Sequence, residues 1–196
     1  LKYTIDRLGI DTFKSILSEY LGWSLDQAKS FEFTGNGDRY GWLRTENKKW
    51  HLTLYIHSGR IIDSPHSTVF SGLLEIAKIH QGEFRSTVKQ YLIISNIDPE
   101  TKDHIQTLIN KHGISFGEKE TPIRLNSVAC VAFPTCSLAM AEAERYLPDL
   151  ISRIEGILEQ YELLEQPINI RMTGCPNGCA RPFLGEIGFV GKAPGK

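Results

Sequence analysis

The sequence predicts an α+β protein, and three observations carry that prediction. Residues 50–56 alternate like a strand, residues 11–21 and 67–82 have helical periodicity, and from residue 50 onward the segments follow in the order β, α, β and then α. In the first helix, Asp11 is placed to cap the N-terminus. Phe13, Ile16, Leu17, Tyr20 and Leu21 follow the spacing of one buried face, and Gly22 ends it. After the turn-rich "FTGNGDRYG", the run "WHLTLYI" sets Trp50, Leu52, Leu54 and Ile56 against His51, Thr53 and Tyr55, as a half-buried strand does. Residues 67–82 predict a helix with Phe70, Leu73, Leu74 and Ala77 inward and Gly82 at its end. "FRSTV" and "QYLIISNI" predict strands, and Asp98-Pro99 opens a helix that runs towards Gly113.

The polar, turn-forming stretch "GISFGEKETP" marks a domain boundary near residue 120, dividing the chain into 1–119 and 120–196. Beyond it come "ACVAFPTC", a long helical region over 138–161 broken near Pro148, the strand "INIRM", the loop "TGCPNGCARP" and the strand "GEIGFV". There is no internal repeat and no low-complexity tract.

Composition narrows the class. With 196 residues, 41% hydrophobic and 23% charged, the chain has the make-up of a soluble globular protein. A net charge of −1 gives no basic field to draw nucleic acid or an anionic membrane. No apolar run approaches the roughly 20 residues that cross a bilayer. The opening "LKYTIDRLGI" lacks the features of a signal peptide, and the sequence reads as an internal segment of a longer cytoplasmic protein.

Only Cys130, Cys136, Cys175 and Cys179 occur, grouped C-x5-C and C-x3-C. With no sign of secretion, a reducing compartment makes them metal ligands or redox groups rather than staples. Pro176 restricts the backbone after the first cysteine of "CPNGC", and Asn177-Gly178 tolerates positive φ, so this loop can wrap a bulky inorganic core. A [4Fe–4S] cube needs four thiolates, the number present. Tetrahedral zinc also takes four, although it fits x3 better than x5. Inert buried thiols and a redox pair complete the alternatives.

"TGCPNGCARP", together with "ACVAFPTCSLAMAEAERYLP" and "EIGFVGKAPGK", resembles the sulfite reductase hemoproteins, the sulfite branch of the sirohaem sulfite/nitrite reductase family. "FEFTGNGDRYGW", "WHLTLYIHSGRI" and "GLLEIAKIHQGEFR" resemble the segment that precedes the family's cluster domain. The resemblance implies half of a ferredoxin-like pseudo-symmetric sirohaem reductase domain, then part of an α/β domain binding [4Fe–4S] and sirohaem. It implies that Cys130, Cys136, Cys175 and Cys179 ligate the cluster, and that Cys179 also bridges to the sirohaem iron. The implied reaction is six-electron reduction of sulfite to sulfide for sulfate assimilation and cysteine biosynthesis, fed by a flavoprotein subunit oxidising NADPH. Much of the substrate-binding apparatus would lie outside this chain, which alone would be inactive. Nitrite reduction at the same sirohaem, a cluster-carrying module without haem and a zinc-stabilised domain are the alternatives.

Sirohaem carries many carboxylates, and Arg124, Arg171, Arg181 and Lys192 lie near the cysteine loops in sequence, as candidate cofactor contacts or ordinary surface cations. Asn126 and Asn177 are candidate hydrogen-bonding partners of the cofactors or simple turn formers. The seven acidic residues of 142–165 are expected on a solvated helix face. The six histidines show no metal-ligand spacing. "GNGDRYG" misses the dinucleotide fingerprint by one position, and Arg85 is a weaker cofactor candidate on its strand.

Overall fold

A computed structural model describes residues 1–32 and 38–193. The chain divides into two compact units, Leu1–Asn36 and Gly37–Lys196. The first holds two helices, α1 (Lys2–Leu8) and α2 (Ile10–Leu21), separated by Gly9 at φ 77°. Gly22 ends α2 in the left-handed conformation, as the sequence predicts. Two expectations fail here. Gly9, not Asp11, occupies the N-cap, because the helix starts at Ile10 and places Asp11 in its first turn. The apolar stripe is not covered within this unit either: neither helix buries a residue, and Ile16, Tyr20 and Leu21 are exposed. The turn stretch 33–37 lies outside the described residues.

The second unit is built on two sheets. Strands β1 (Gly41–Arg44), β2 (Trp50–Leu54), β3 (Glu83–Ser86) and β4 (Leu92–Ile97) form an antiparallel sheet in the order β1-β2-β4-β3. Helices α3 (Val69–Ile79) and α4 (Pro99–Lys111) cover it around a core of Leu52, Leu54, Ile56, Ile76, Ile94, Ile97 and Ile105. The period-2 pattern of residues 50–56 is thus realised, and Pro99 begins α4 where its missing N–H costs nothing. α3 is rotated from its expected setting. Val69, Leu73, Ile76 and Ile79 face the core, while Phe70 and Leu74 are about half exposed and line a groove with Ala77, Ile61 and Phe84. The helix stops at Ile79, before Gly82.

The second sheet is parallel, with β5 (Ser127–Ala129), β6 (Ile170–Thr173) and β7 (Ile187–Val190) in that order. The short α5 (Pro122–Leu125) precedes β5, and α6 (Leu147–Gln160) makes the crossover to β6. Ile123, Ala129, Leu147, Ile151, Ile170 and Met172 form its core. The long helical region contracts to α6, and residues 138–146 are turns. Pro148 opens the helix instead of breaking it, because the first turn tolerates a residue without an N–H. The acidic stretch is also not wholly solvated: Glu144 is 5% exposed and pairs with Arg60, and Glu155 pairs with Arg124.

Residues 113–122 join two hydrophobic cores that lie within one compact unit. Side chains tie the two sheets together. Arg60 donates through Nη2 to Glu144 Oε2 at 2.7 Å, and Tyr91 Oη donates to the Leu125 carbonyl. Among the described residues, no helix is long and apolar enough to cross a membrane.

Candidate metal and cofactor site

A parallel sheet sends the loops of neighbouring strands out at one end, and that end is where open α/β sheets collect ligands. β5 and β6 are such neighbours. Register pairs Ala129 with Met172, which brings Cys130 level with Thr173 at the carboxyl edge. Cys130 N–H donates to the Met172 carbonyl at 3.0 Å. Its sulfur accepts from the Gly174 N–H at 3.3 Å and lies 3.5 Å from the Thr173 hydroxyl. The sheet therefore places Cys130 beside the strand end that leads to Cys175.

The loops are stitched together at Gly174. The first loop doubles back so that the N–H groups of Met140 and Ala141 both donate to the Gly174 carbonyl, at 2.8 and 3.0 Å. A Cβ at position 174 would stand 2.6 Å from the Ala141 carbonyl oxygen and 2.7 Å from Ala132 Cβ, so only glycine permits this approach. Within the first loop the Cys136 N–H closes a turn on the Ala132 carbonyl at 2.7 Å. In "CPNGCARP", Gly178 takes positive φ (68°) as the turn chemistry requires. Asn177 does not, and Arg181 does, at 55°. Beside this edge a cavity of about 540 Å³ is lined by Ala141, Tyr146, Met172, Thr173, Phe189 and Gly191.

All four cysteines are free thiols, with Cys175 buried, Cys130 and Cys136 half-buried and Cys179 exposed. The donor set suits an iron–sulfur cube: four soft ligands on two loops of one sheet edge, one sulfur already accepting a backbone N–H. Cys136 and Cys179 lie farther out on their loops. Among the described residues, no three His, Cys, Asp or Glu side chains are arranged to hold a metal ion.

The other candidate residues separate into two groups. Arg124 is engaged by protein: its Nε donates to Glu155 Oε1 at 3.0 Å, its Nη2 to the Ser152 hydroxyl at 3.0 Å, and Glu120 stands 3.5 Å away. Asn126 is buried, accepting from Lys89 Nζ at 2.5 Å and donating to the Pro122 carbonyl at 2.8 Å. Arg85 pairs with Glu83 on exposed β3, and Lys192 is exposed. Arg171, Arg181 and Asn177 remain close to the second cysteine loop. Asn177 is exposed, Arg181 Nη2 donates to the Val88 carbonyl, and Arg171 reaches the Ala180 carbonyl at 3.5 Å. Arg171 is 9% exposed and its Nε has no hydrogen-bond partner, an orphaned buried donor facing the loop side of the sheet. Burial and the nearby Arg181 both push its pKa down.

The turn between β3 and β4 is a part of the site that sequence reasoning missed. Gln90 Nε2 donates to the Ala129 carbonyl, one residue before Cys130, at 2.8 Å, while the Val88 carbonyl holds Arg181, two residues after Cys179. Lys89 between them is 7% exposed. Nothing in "STVKQYL" marks a buried lysine, since Lys-Gln between two strands reads as a solvated hairpin tip.

No family model matches the chain. Over 195 residues, 100% of the chain, it is 54% identical to the sulfite reductase (NADPH) hemoprotein beta-component of Bacillus subtilis strain 168, and equally so to that of Staphylococcus carnosus strain TM300. The chain spans about a third of those relatives' length (34%). Among solved structures, the Mycobacterium tuberculosis NirA protein matches 96% of the chain, with a TM-score of 0.71 and 26% identity, over 34% of its own length. The resemblance to sulfite reductase hemoproteins thus extends along the whole chain, and the mixed α/β architecture is shared with NirA.

Proposed function

We propose that the chain is a segment of a sulfite reductase hemoprotein, the sirohaem-binding component of an assimilatory enzyme that reduces sulfite to sulfide in the cytoplasm. The single observation that carries this reading is the meeting of both cysteine loops at the carboxyl edge of β5 and β6, stitched at Gly174. The 54% identity to hemoprotein beta-components supports it. In this reading residues 1–119 supply half of a ferredoxin-like reductase domain, and 120–196 the front of the cofactor domain, each with one of the two cores.

In this reading Cys130, Cys136, Cys175 and Cys179 would hold a [4Fe–4S] cluster, and Cys179, the most exposed thiol, would also help to hold the sirohaem. When bound, the two cofactors supply single electrons and the iron at which sulfite is reduced. The chain's own contribution is placement. The Gly174 N–H donates to the Cys130 sulfur, and Gln90 fixes the backbone just before that residue. Arg181 and Asn177, beside the second cysteine loop, would be available to cofactor carboxylates, and Arg171 lies beneath that loop. Asn126 acts at one remove, through Lys89, and Arg124 is engaged by Glu155. Electrons arrive from a flavoprotein alpha subunit that oxidises NADPH, the partner that the name beta-component implies for the relatives.

The full-length protein, prepared anaerobically, should contain iron, acid-labile sulfide and the absorption bands of both chromophores. Cys179→Ser should abolish sulfide production and the sirohaem bands. One zinc per chain with no iron or sulfide would overturn the reading, as would sulfide output unchanged in Cys179→Ser.

A further inference from the structure

Three cations converge where the cysteine loop folds back over the second sheet. Arg171 alternates with the core residues Ile170 and Met172 on β6, so its side chain leaves the opposite face, the one it shares with Thr173. There its guanidinium lies under the loop that carries Cys175 and Cys179, touching the Ala180 carbonyl. Arg181 repels it electrostatically, and so do Arg171 and Lys89 each other. Among the described residues, no carboxylate forms an ion pair with Arg171, Lys89 or Arg181. Asp38 and Glu186 act on Lys89 and Arg171 only at longer range. A buried cation without a counter-ion is costly, and two beside each other cost more. Such a constellation calls for negative charge close by.

We propose that Arg171, backed by Lys89, is the counter-charge of the cysteine loop and sets the reduction potential of the cluster held there. This rests on the proposed function above. A cube with four thiolates is anionic and gains one more negative charge when a low-potential reductant gives it one electron. A fixed buried cation stabilises that reduced form more than the oxidised form, which raises the potential. Arg171 is a positioning residue in this scheme, acting through field and loop rather than through a bond to iron. Its sequence context marks it only as a cation near the loop, because an arginine in "INIRM" reads as the solvated side of a strand.

The test is a mediated redox titration of the anaerobic holoenzyme, following the reduced-cluster EPR signal, with iron and sulfide measured on each sample. Arg171→Met should lower the reduced-to-oxidised ratio at a fixed potential at least tenfold, a midpoint about 59 mV lower for one electron. Arg171→Lys keeps the charge without the planar fork and should change the ratio less than threefold. A full iron complement with an unchanged midpoint in Arg171→Met overturns the proposal, and so does an equal shift in Arg171→Lys, which would mean packing and not charge. If Arg171→Met does not load iron, Lys89→Met decides, with a lowered midpoint expected and an unchanged one overturning the proposal. A wild-type protein without iron or sulfide would instead sink the functional reading beneath it.

Discussion

At Gly174 the two cysteine loops touch, and one added methyl group is enough to part them. Gly174→Ala must displace the Ala141 carbonyl or Ala132, contacts of 2.6 and 2.7 Å. Overpacking of this kind costs about 1–3 kcal/mol, readable as a lower midpoint in chemical denaturation. Gly156→Ala is the matching control. Its Cβ meets nothing within 4 Å in α6, so it should stabilise by about 0.5–1 kcal/mol through helix propensity. The cysteine grouping C-x5-C and C-x3-C stands out in the sequence, although it admits zinc, inert thiols and a redox pair besides an iron–sulfur cube. Lys89 was not legible, and Arg171 could be singled out only by its nearness to the loop, since burial of a cation depends on what folds over it. The sequence-adjacent Arg124 illustrates the converse. It lies near Cys130 along the chain, yet its guanidinium is taken up by Glu155 and Ser152 on α6.

Among the elements, α4 and β2 were readable because capping, proline placement and alternation all agree there. α3 was read with the wrong rotation. Val69, Phe70, Leu73, Leu74, Ile76, Ala77 and Ile79 wrap so much of its circumference that periodicity yields two apolar faces, and only the sheet beneath chooses between them. The segment 138–146 has helix-forming composition, but hydrogen bonds from Met140 and Ala141 to Gly174 hold it as turns. A tertiary partner overrode local propensity. The link between the turn segments at Arg60 and Glu144 carries its own prediction. Glu144 is 5% exposed while Arg60 is about one-third exposed, so Arg60→Met strands a buried carboxylate. The expected loss is about 2 kcal/mol, above the ~0–1 kcal/mol of a surface pair. Arg60→Met combined with Glu144→Gln should recover most of it, and a denaturation series on the three variants measures this.

For the molecule as a whole, alkaline pH probes the seam between the two sheets. Tyr40, Tyr55 and Tyr91 pack edge-on and tilted there, with ring centroids 5.6 Å apart for Tyr40 and Tyr91 and 5.3 Å for Tyr55 and Tyr91. Burial pushes Tyr40 up to about 12 and raises Tyr55 and Tyr91 further. The folded chain thus holds these phenols neutral, whereas the unfolded chain ionises them near pH 10. Their stabilising contribution is complete below pH 10 and is lost as pH climbs from 10 through about 12. Denaturation midpoints should fall across that window, and Tyr40→Phe should make the fall shallower. The α+β class was legible from the sequence. The seam was not, because its contacts join residues far apart in the chain, as Tyr91 to Leu125 and Gln90 to Ala129 do.

The β3–β4 turn grips the backbone beside both cysteine loops, although its own strands belong to the other sheet. Sulfur spacing is consequently coupled to shear between the sheets. Fastening the loops around one rigid inorganic body should slow amide deuteration in β4, well away from any iron ligand.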